Sequence, residues 1–178
     1  MHYYVEKFSS IHYLKNGNSR QQSAFNLLQA HHVMDILADF DPLLAGTVPI
    51  GIDTASSDLD IICFAPDLKA FSVFLEEHFA AYSGFQLTDT EMKGENTIIA
   101  HFTIDGWPLE IFGQNVPAVE QAGFRHMIVE YSLLHQYGEP LKQRIIELKQ
   151  QGYKTEPAFA VALGLKGDPY QALLDIAF

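Results

Sequence analysis

Apolar and polar positions change period several times along this chain, and each change predicts an element. Asn16-Gly17-Asn18-Ser19 breaks the chain and offers Asn18 or Ser19 as a helix cap. Leu27, Leu28, Met34 and Leu37 then recur at helical spacing, predicting one long helix to about Phe40. Leu43 to Val48 reads as a short strand, followed by a loop holding Pro49, Gly51, Ser56 and Ser57. The run Leu59-Asp60-Ile61-Ile62-Cys63-Phe64 is apolar on both faces, as a central strand is.

Pro66-Asp67 opens a second helix whose stripe is Phe71, Phe74, Leu75 and Phe79. Three strands follow at roughly Phe85–Met92, Asn96–Ile104 and Trp107–Phe112. Lys93-Gly94-Glu95 joins the first two, and Asp105-Gly106 gives the last two a hairpin turn. After Pro117 the period is helical: a long helix to about Tyr137, then Pro140–Gln150, Glu156–Leu165 and Asp168–Ile176. This order predicts an α+β fold, a mixed sheet covered by helices on one side, with a helical C-terminal portion. It is read as a single domain over 1–178, with a core at about 19–115 and the helical portion at about 117–178.

Composition narrows the partners more than the fold. The chain has 178 residues, 48% hydrophobic and 19% charged, enough for a folded core. No apolar run approaches the ~18–20 residues of a membrane span, and the first residues lack a leader pattern. Cys63 is the single cysteine, so the expected compartment is the reducing cytoplasm. Net charge is −11, from 22 acidic and 11 basic residues, which argues against binding duplex DNA through its phosphates. Between Gly138 and Gly167 the balance reverses, with Lys142, Arg144, Lys149, Lys154 and Lys166 against Glu139, Glu147 and Glu156. That segment is either a solvated helix face or a phosphate-facing patch.

Two anomalies carry chemistry. Asp58 and Asp60 stand where a loop becomes a buried strand, and strand alternation puts both on one face. Two neighbouring carboxylates repel, and a hard divalent cation relieves the repulsion. Glu110 interrupts the apolar strand Trp107-Pro108-Leu109-Glu110-Ile111-Phe112, where an acid is rare unless paired or bound to metal. The plainer alternatives are a solvated turn for Asp58 and an outward-facing edge strand for Glu110, which Pro108 allows.

Gly46-Thr47, ten residues (48–57), then Asp58-Leu59-Asp60-Ile61 resembles the motif of the polymerase-β-like nucleotidyltransferase superfamily. More of the chain resembles an uncharacterised bacterial family of nucleotidyltransferase-like proteins. The shared stretches include Tyr13-Leu14-Lys15-Asn16-Gly17-Asn18, Gly46-Thr47-Val48-Pro49-Ile50, Glu110-Ile111-Phe112-Gly113-Gln114, Arg125-His126-Met127, Thr155-Glu156-Pro157-Ala158-Phe159 and Gly167-Asp168-Pro169-Tyr170. The resemblance implies that Asp58, Asp60 and Glu110 hold Mg²⁺ (or Mn²⁺) against a nucleoside triphosphate. It further implies that Gly46 and Thr47 face the phosphates, and that a nucleoside monophosphate moves to an acceptor hydroxyl. Superfamily members start a helix after the Gly46-Thr47 pair, whereas Pro49 and Gly51 predict an irregular loop here.

Lys15, Arg20 and Arg125 are the candidate phosphate-binding cations, each with a surface ion pair as the alternative. Arg125, His126 and Glu130 are grouped as a helix-face network, with a satisfied structural role for His126 the commoner outcome. Gln114 or Asn115 could read a base or sugar, or simply form a helix-entry turn. The paired His31-His32 supplies no zinc spacing, and Cys63 reads as core. The expected function is nucleotidyl transfer from an NTP to an unknown acceptor, with a small molecule favoured over a protein or RNA end. The alternatives are a non-catalytic nucleotide-binding or protein-interaction module and, third, a phosphohydrolase using the same metals.

Overall fold

The computed structural model describes residues 2–92 and 94–176. Five strands form one mixed sheet in the order β1-β2-β5-β4-β3. They are β1 (Leu43–Ala45), β2 (Leu59–Phe64), β3 (Ser83–Met92), β4 (Glu95–Ile104) and β5 (Trp107–Gln114). β2 and β5 pair in parallel, and the remaining pairs are antiparallel. The expected α+β class and mixed sheet are therefore observed. Lys93 of the expected turn between β3 and β4 lies outside the described residues.

Alternation along β2 divides the protein. Leu59, Ile61 and Cys63 are fully buried on one face, against α2 (Ser19–Ala30) and α5 (Leu68–Phe79), with Leu28, Phe71, Leu75 and Phe79 in the same core. Ile62, between them in sequence, points to the other face. There it joins Phe124, Met127 and Ile128 of α6 (Ala122–Gln150) and Phe159 of α7 (Thr155–Leu163). Helices therefore cover both faces rather than one, because the helical portion after Pro117 folds back over β1 and β2. α1 (His2–Lys7) and α8 (Pro169–Leu174) pack on that second side.

Three local expectations change. The helix expected to reach Phe40 ends at Ala30, because His32 adopts a left-handed backbone (φ 52°) before α3 (Val33–Ile36). The strand expected to Val48 stops at Ala45, and α4 (Thr47–Ile50) begins at once. Pro49 is compatible with that helix because it occupies the first turn, where its missing N–H has no partner to lose. Gly51 then ends the turn in a left-handed conformation, φ 70°. The break expected after Tyr137 is present, since α6 is interrupted at Gly138, whose ψ of −156° leaves the helical region.

The start of α2 is tied to the following segment. Asn18 and Gln21 form a capping box, and Gln21 Nε2 donates to the carbonyls of Val48 and Pro49, both at 3.0 Å. This fixes α4 against α2 and sets the rim of the site described next.

Candidate metal centre

In the β2–β5 register Asp60 lies directly opposite Glu110. Parallel pairing turns both side chains to the same face, and Asp58 precedes β2 by one residue on that face. One carboxylate oxygen from each of Asp58, Asp60 and Glu110 lies within 4.8 Å of the other two. Among the described residues this is the one group so arranged. The outward-facing alternative for Glu110 does not hold.

Electrostatics shows what the cluster lacks. Burial pushes the Asp60 carboxyl up to about 8, and the charges of Asp58 and Glu110 add to the rise. Lys149 opposes it. Glu110 is also raised, first by burial, while His101 on the neighbouring strand pulls it down. His101 Nδ1 sits 3.3 Å from Glu110 Oε2. Three carboxylates in a half-buried cleft, opposed by His101 and Lys149, form a hard, oxygen-rich donor set. That is the chemistry that fits Mg²⁺ or Mn²⁺ and does not fit a thiolate-seeking metal.

Gly46 belongs to the same construction. Its φ of 81° and ψ of −153° are backbone geometry that L side chains rarely adopt, and a Cβ there would collide with Asp60 Oδ2. The backbone therefore passes directly against the carboxylate. Thr47 Oγ1 donates to Ser57 Oγ at 3.2 Å, and Ser57 Oγ accepts from Thr54 N–H at 2.9 Å. The expected irregular loop shrinks to residues 51–58, and Arg20 pins it. Arg20 Nε donates to Asp53 at 2.8 Å, its Nη2 donates to the Ser57 carbonyl at 3.1 Å, and its guanidinium stacks on Trp107 at 4.1 Å. Those contacts tie Arg20 to the loop.

The triad opens on a cavity of about 980 Å³ between the sheet and α6–α7. Gly46, Thr47, Asp58, Asp60 and Glu110 all line it, and Lys15, Arg20 and Arg125 do not. Lys15 and Arg125 are exposed on the surface. The cations that do reach the cavity are Lys149 of α6 and Lys154, and Lys149 Nζ donates to the Ile52 carbonyl at 2.9 Å. Burial lowers its ammonium from the ordinary value, against the pull of Glu130, Asp53, Asp58 and Asp60.

Glu130 and His126 also line the cavity, and helical spacing alone does not mark either as facing it. Glu130 is buried, and its carboxyl is pushed up to about 8 by burial, then by Glu156, with Lys149 opposing. His126 is also buried, with Nε2 2.9 Å from the Tyr170 carbonyl and Nδ1 3.7 Å from Glu156. It has the satisfied structural role given as the commoner outcome, and with Arg125 exposed the alternative three-residue network is not formed among the described residues. Gln114 is buried and donates to Thr97 Oγ1 at 2.8 Å, whereas Asn115 is exposed and outside the cavity.

The fold is similar to that of nucleotidyltransferases of known structure. The chain is similar to the Cid1 poly(U) polymerase with MgGTP bound, at 14% identity and a TM-score of 0.53, over 80% of this chain and 47% of that one. It is also similar to a cytoplasmic RNA terminal U-transferase, at 17% identity and 0.52, over 89% of this chain and 51% of that one. The polymerase core of TRAMP, an RNA surveillance complex, matches at 12% and 0.52, over 88% and 48%. The chain thus spans about half the length of each of these proteins. Within that fold the chain belongs to the family described as a domain of unknown function, DUF4269, which it matches over residues 26–176. No curated protein matches it. No helix among the described residues is long and apolar enough to cross a membrane.

Proposed function

We propose that the protein is a metal-dependent nucleotidyltransferase, moving a nucleoside monophosphate from an NTP to a hydroxyl acceptor. The observation that carries this is the convergence of Asp58, Asp60 and Glu110 beside the side-chain-free backbone of Gly46. The acceptor oxygen bonds the α-phosphorus as the bond to pyrophosphate breaks, and the hydroxyl proton is released. Divalent cations held by Asp58, Asp60 and Glu110 would supply charge stabilisation for the entering and leaving oxygens.

The chain's own residues do the rest. Glu110, raised by burial and opening on the cavity, takes the hydroxyl proton, and His101 beside it passes the proton to solvent. Gly46 and Thr47 let backbone approach the phosphates, and Lys149 meets the negative charge from the α6 wall. Arg20 acts indirectly by holding the loop 51–58 in place, and Lys15 and Arg125 have no part in the cavity.

The test is thermal stability of the protein with each NTP and Mg²⁺ or Mn²⁺, followed by pyrophosphate release with pooled acceptors. Metal-dependent stabilisation lost in Asp58→Ala and Asp60→Ala is the expected result. Variants that behave as wild type would sink the proposal. Stabilisation without pyrophosphate release across broad acceptor pools would favour the binding module.

A further inference from the structure

The cavity has two acidic walls, and only one of them is explained by metal and nucleotide. Beyond the triad, Glu95, Glu120, Glu130 and Glu156 line it, against Lys149 and Lys154 among the described residues. Glu130 stands apart from the others. The residue is 3% exposed and borders the cavity, and among the described residues its carboxylate makes no hydrogen bond and no ion pair, with Lys149 the cation whose charge reaches it. A buried carboxyl without a partner is costly, and it persists in folded proteins where a ligand completes it. Glu156 lies beside it from α7, with His126 Nδ1 3.7 Å from its carboxylate.

The nucleotide does not supply the missing partner. A triphosphate is itself anionic, and divalent ions bound with it are consumed by its phosphates and by Asp58, Asp60 and Glu110. Lys149 is shared among Glu130, Asp53, Asp58 and Asp60, so the helical wall keeps an excess of carboxylate. A polyanionic acceptor would add like charge to that wall, whereas a protonated amine would pair with it.

We propose that the acceptor is a small amine-bearing alcohol, its ammonium held by Glu130 and Glu156 while its hydroxyl faces Glu110. This rests on the nucleotidyl-transfer reading above. The RNA substrates named for the structurally similar proteins do not decide the matter, because they share the fold at 12–17% identity and fold alone does not fix the acceptor. In the free protein near neutrality Glu130 holds a proton, with the charges of Glu156 and Lys149 acting on it and His126 also on the cavity wall. Pairing with an ammonium ionises it, so amine binding releases protons near pH 7.

The experiment uses paired amino alcohols in which acetylation removes the charge of the nitrogen: D-glucosamine against N-acetyl-D-glucosamine, and ethanolamine against N-acetylethanolamine. Calorimetry in two buffers of different ionisation enthalpy reads affinity and proton release, and α-labelled NTP with Mg²⁺ reads transfer. The amines are expected to bind at least tenfold more tightly than their acetylated forms and to release protons. Glu130→Gln and Glu156→Gln should each remove most of that preference while keeping the Mg²⁺–NTP thermal shift, which also shows that they fold. Equal binding of charged and acetylated probes, or Glu130→Gln with undiminished amine preference, would overturn the proposal. So would labelled transfer to an RNA oligonucleotide in preference to either amine. Amine binding that needs Glu130 in a protein with no Mg²⁺–NTP shift would instead overturn the transfer reading and leave the cation site standing.

Discussion

The two faces of β2 make opposite use of the same strand. Leu59, Ile61 and Cys63 are closed into an apolar core by α2 and α5, and nothing polar interrupts them. One residue out of phase, Asp60 and Ile62 face α6 and α7, where the packing is incomplete and a cavity remains. The first face holds the sheet rigid. The second uses that rigidity to keep Asp60 opposite Glu110, against a repulsion that would drive flexible side chains apart. Stability and chemistry are thus separated by a single residue step along the chain.

The largest break in this comparison is on the cavity face. On the proposed reading Asp60→Asn should lower pyrophosphate release by about 10³-fold or more, since it would remove a ligand common to both roles of the metals. Steady-state kinetics at saturating Mg²⁺ checks this, and Asp58→Asn should behave likewise. One step away the effect changes kind. Ile61→Ala should cost about 2–5 kcal/mol of stability through the cavity it leaves. For a chain of this size that is a fall of roughly 5–15 °C in Tm. Its kcat below the new Tm should stay within a few-fold of wild type.

A third prediction uses pH. The Asp60 carboxyl ionises near pH 4 in the unfolded chain and at about 8 in the folded protein. Between those values the native state holds a proton that the unfolded chain has released. Stability of the metal-free protein therefore falls as pH rises through that window. In EDTA, Asp60→Asn should be more stable than wild type at pH 8, with the gap closing towards pH 4. Thermal melts across that range read it directly. Mg²⁺ needs the ionised carboxylate, so its stabilising effect should grow over the same interval and vanish in the variant.

The smallest expected effect is at the rim. Arg20→Ala removes charged hydrogen bonds to Asp53 and Ser57 and a stack on Trp107, costing about 1–3 kcal/mol. Because the loop 51–58 borders the cavity, the variant should raise KM for NTP more than it lowers kcat. A pure kcat loss would place Arg20 in the chemistry instead.

Much of the sheet wall was legible in the sequence because it is written in local pattern. Alternation puts Asp58 and Asp60 on one face, and an acid inside an apolar strand marks Glu110. The helical wall was not, because its residues meet the triad only through tertiary packing. Lys149 stands far from Asp60 in sequence, and its period on α6 does not distinguish a cavity lysine from a solvated one. Glu130 reads as an ordinary helix-face acid until α7 closes over it. Arg20 was singled out as a cation, but its partner lies in a loop whose path the sequence does not specify. The break at His32 escaped for another reason, since it has neither glycine nor proline to announce it.

The parallel pairing of β2 with β5 also governs when the site comes into being. The strands are separated in sequence by α5 and the β3–β4 hairpin, so Asp60 and Glu110 meet only after that intervening chain has closed. Such a long-range contact forms late and slowly compared with hairpins and helices. On the proposed reading metal affinity would report completed folding: a refolding protein should regain its helical signal well before it regains its response to divalent cations.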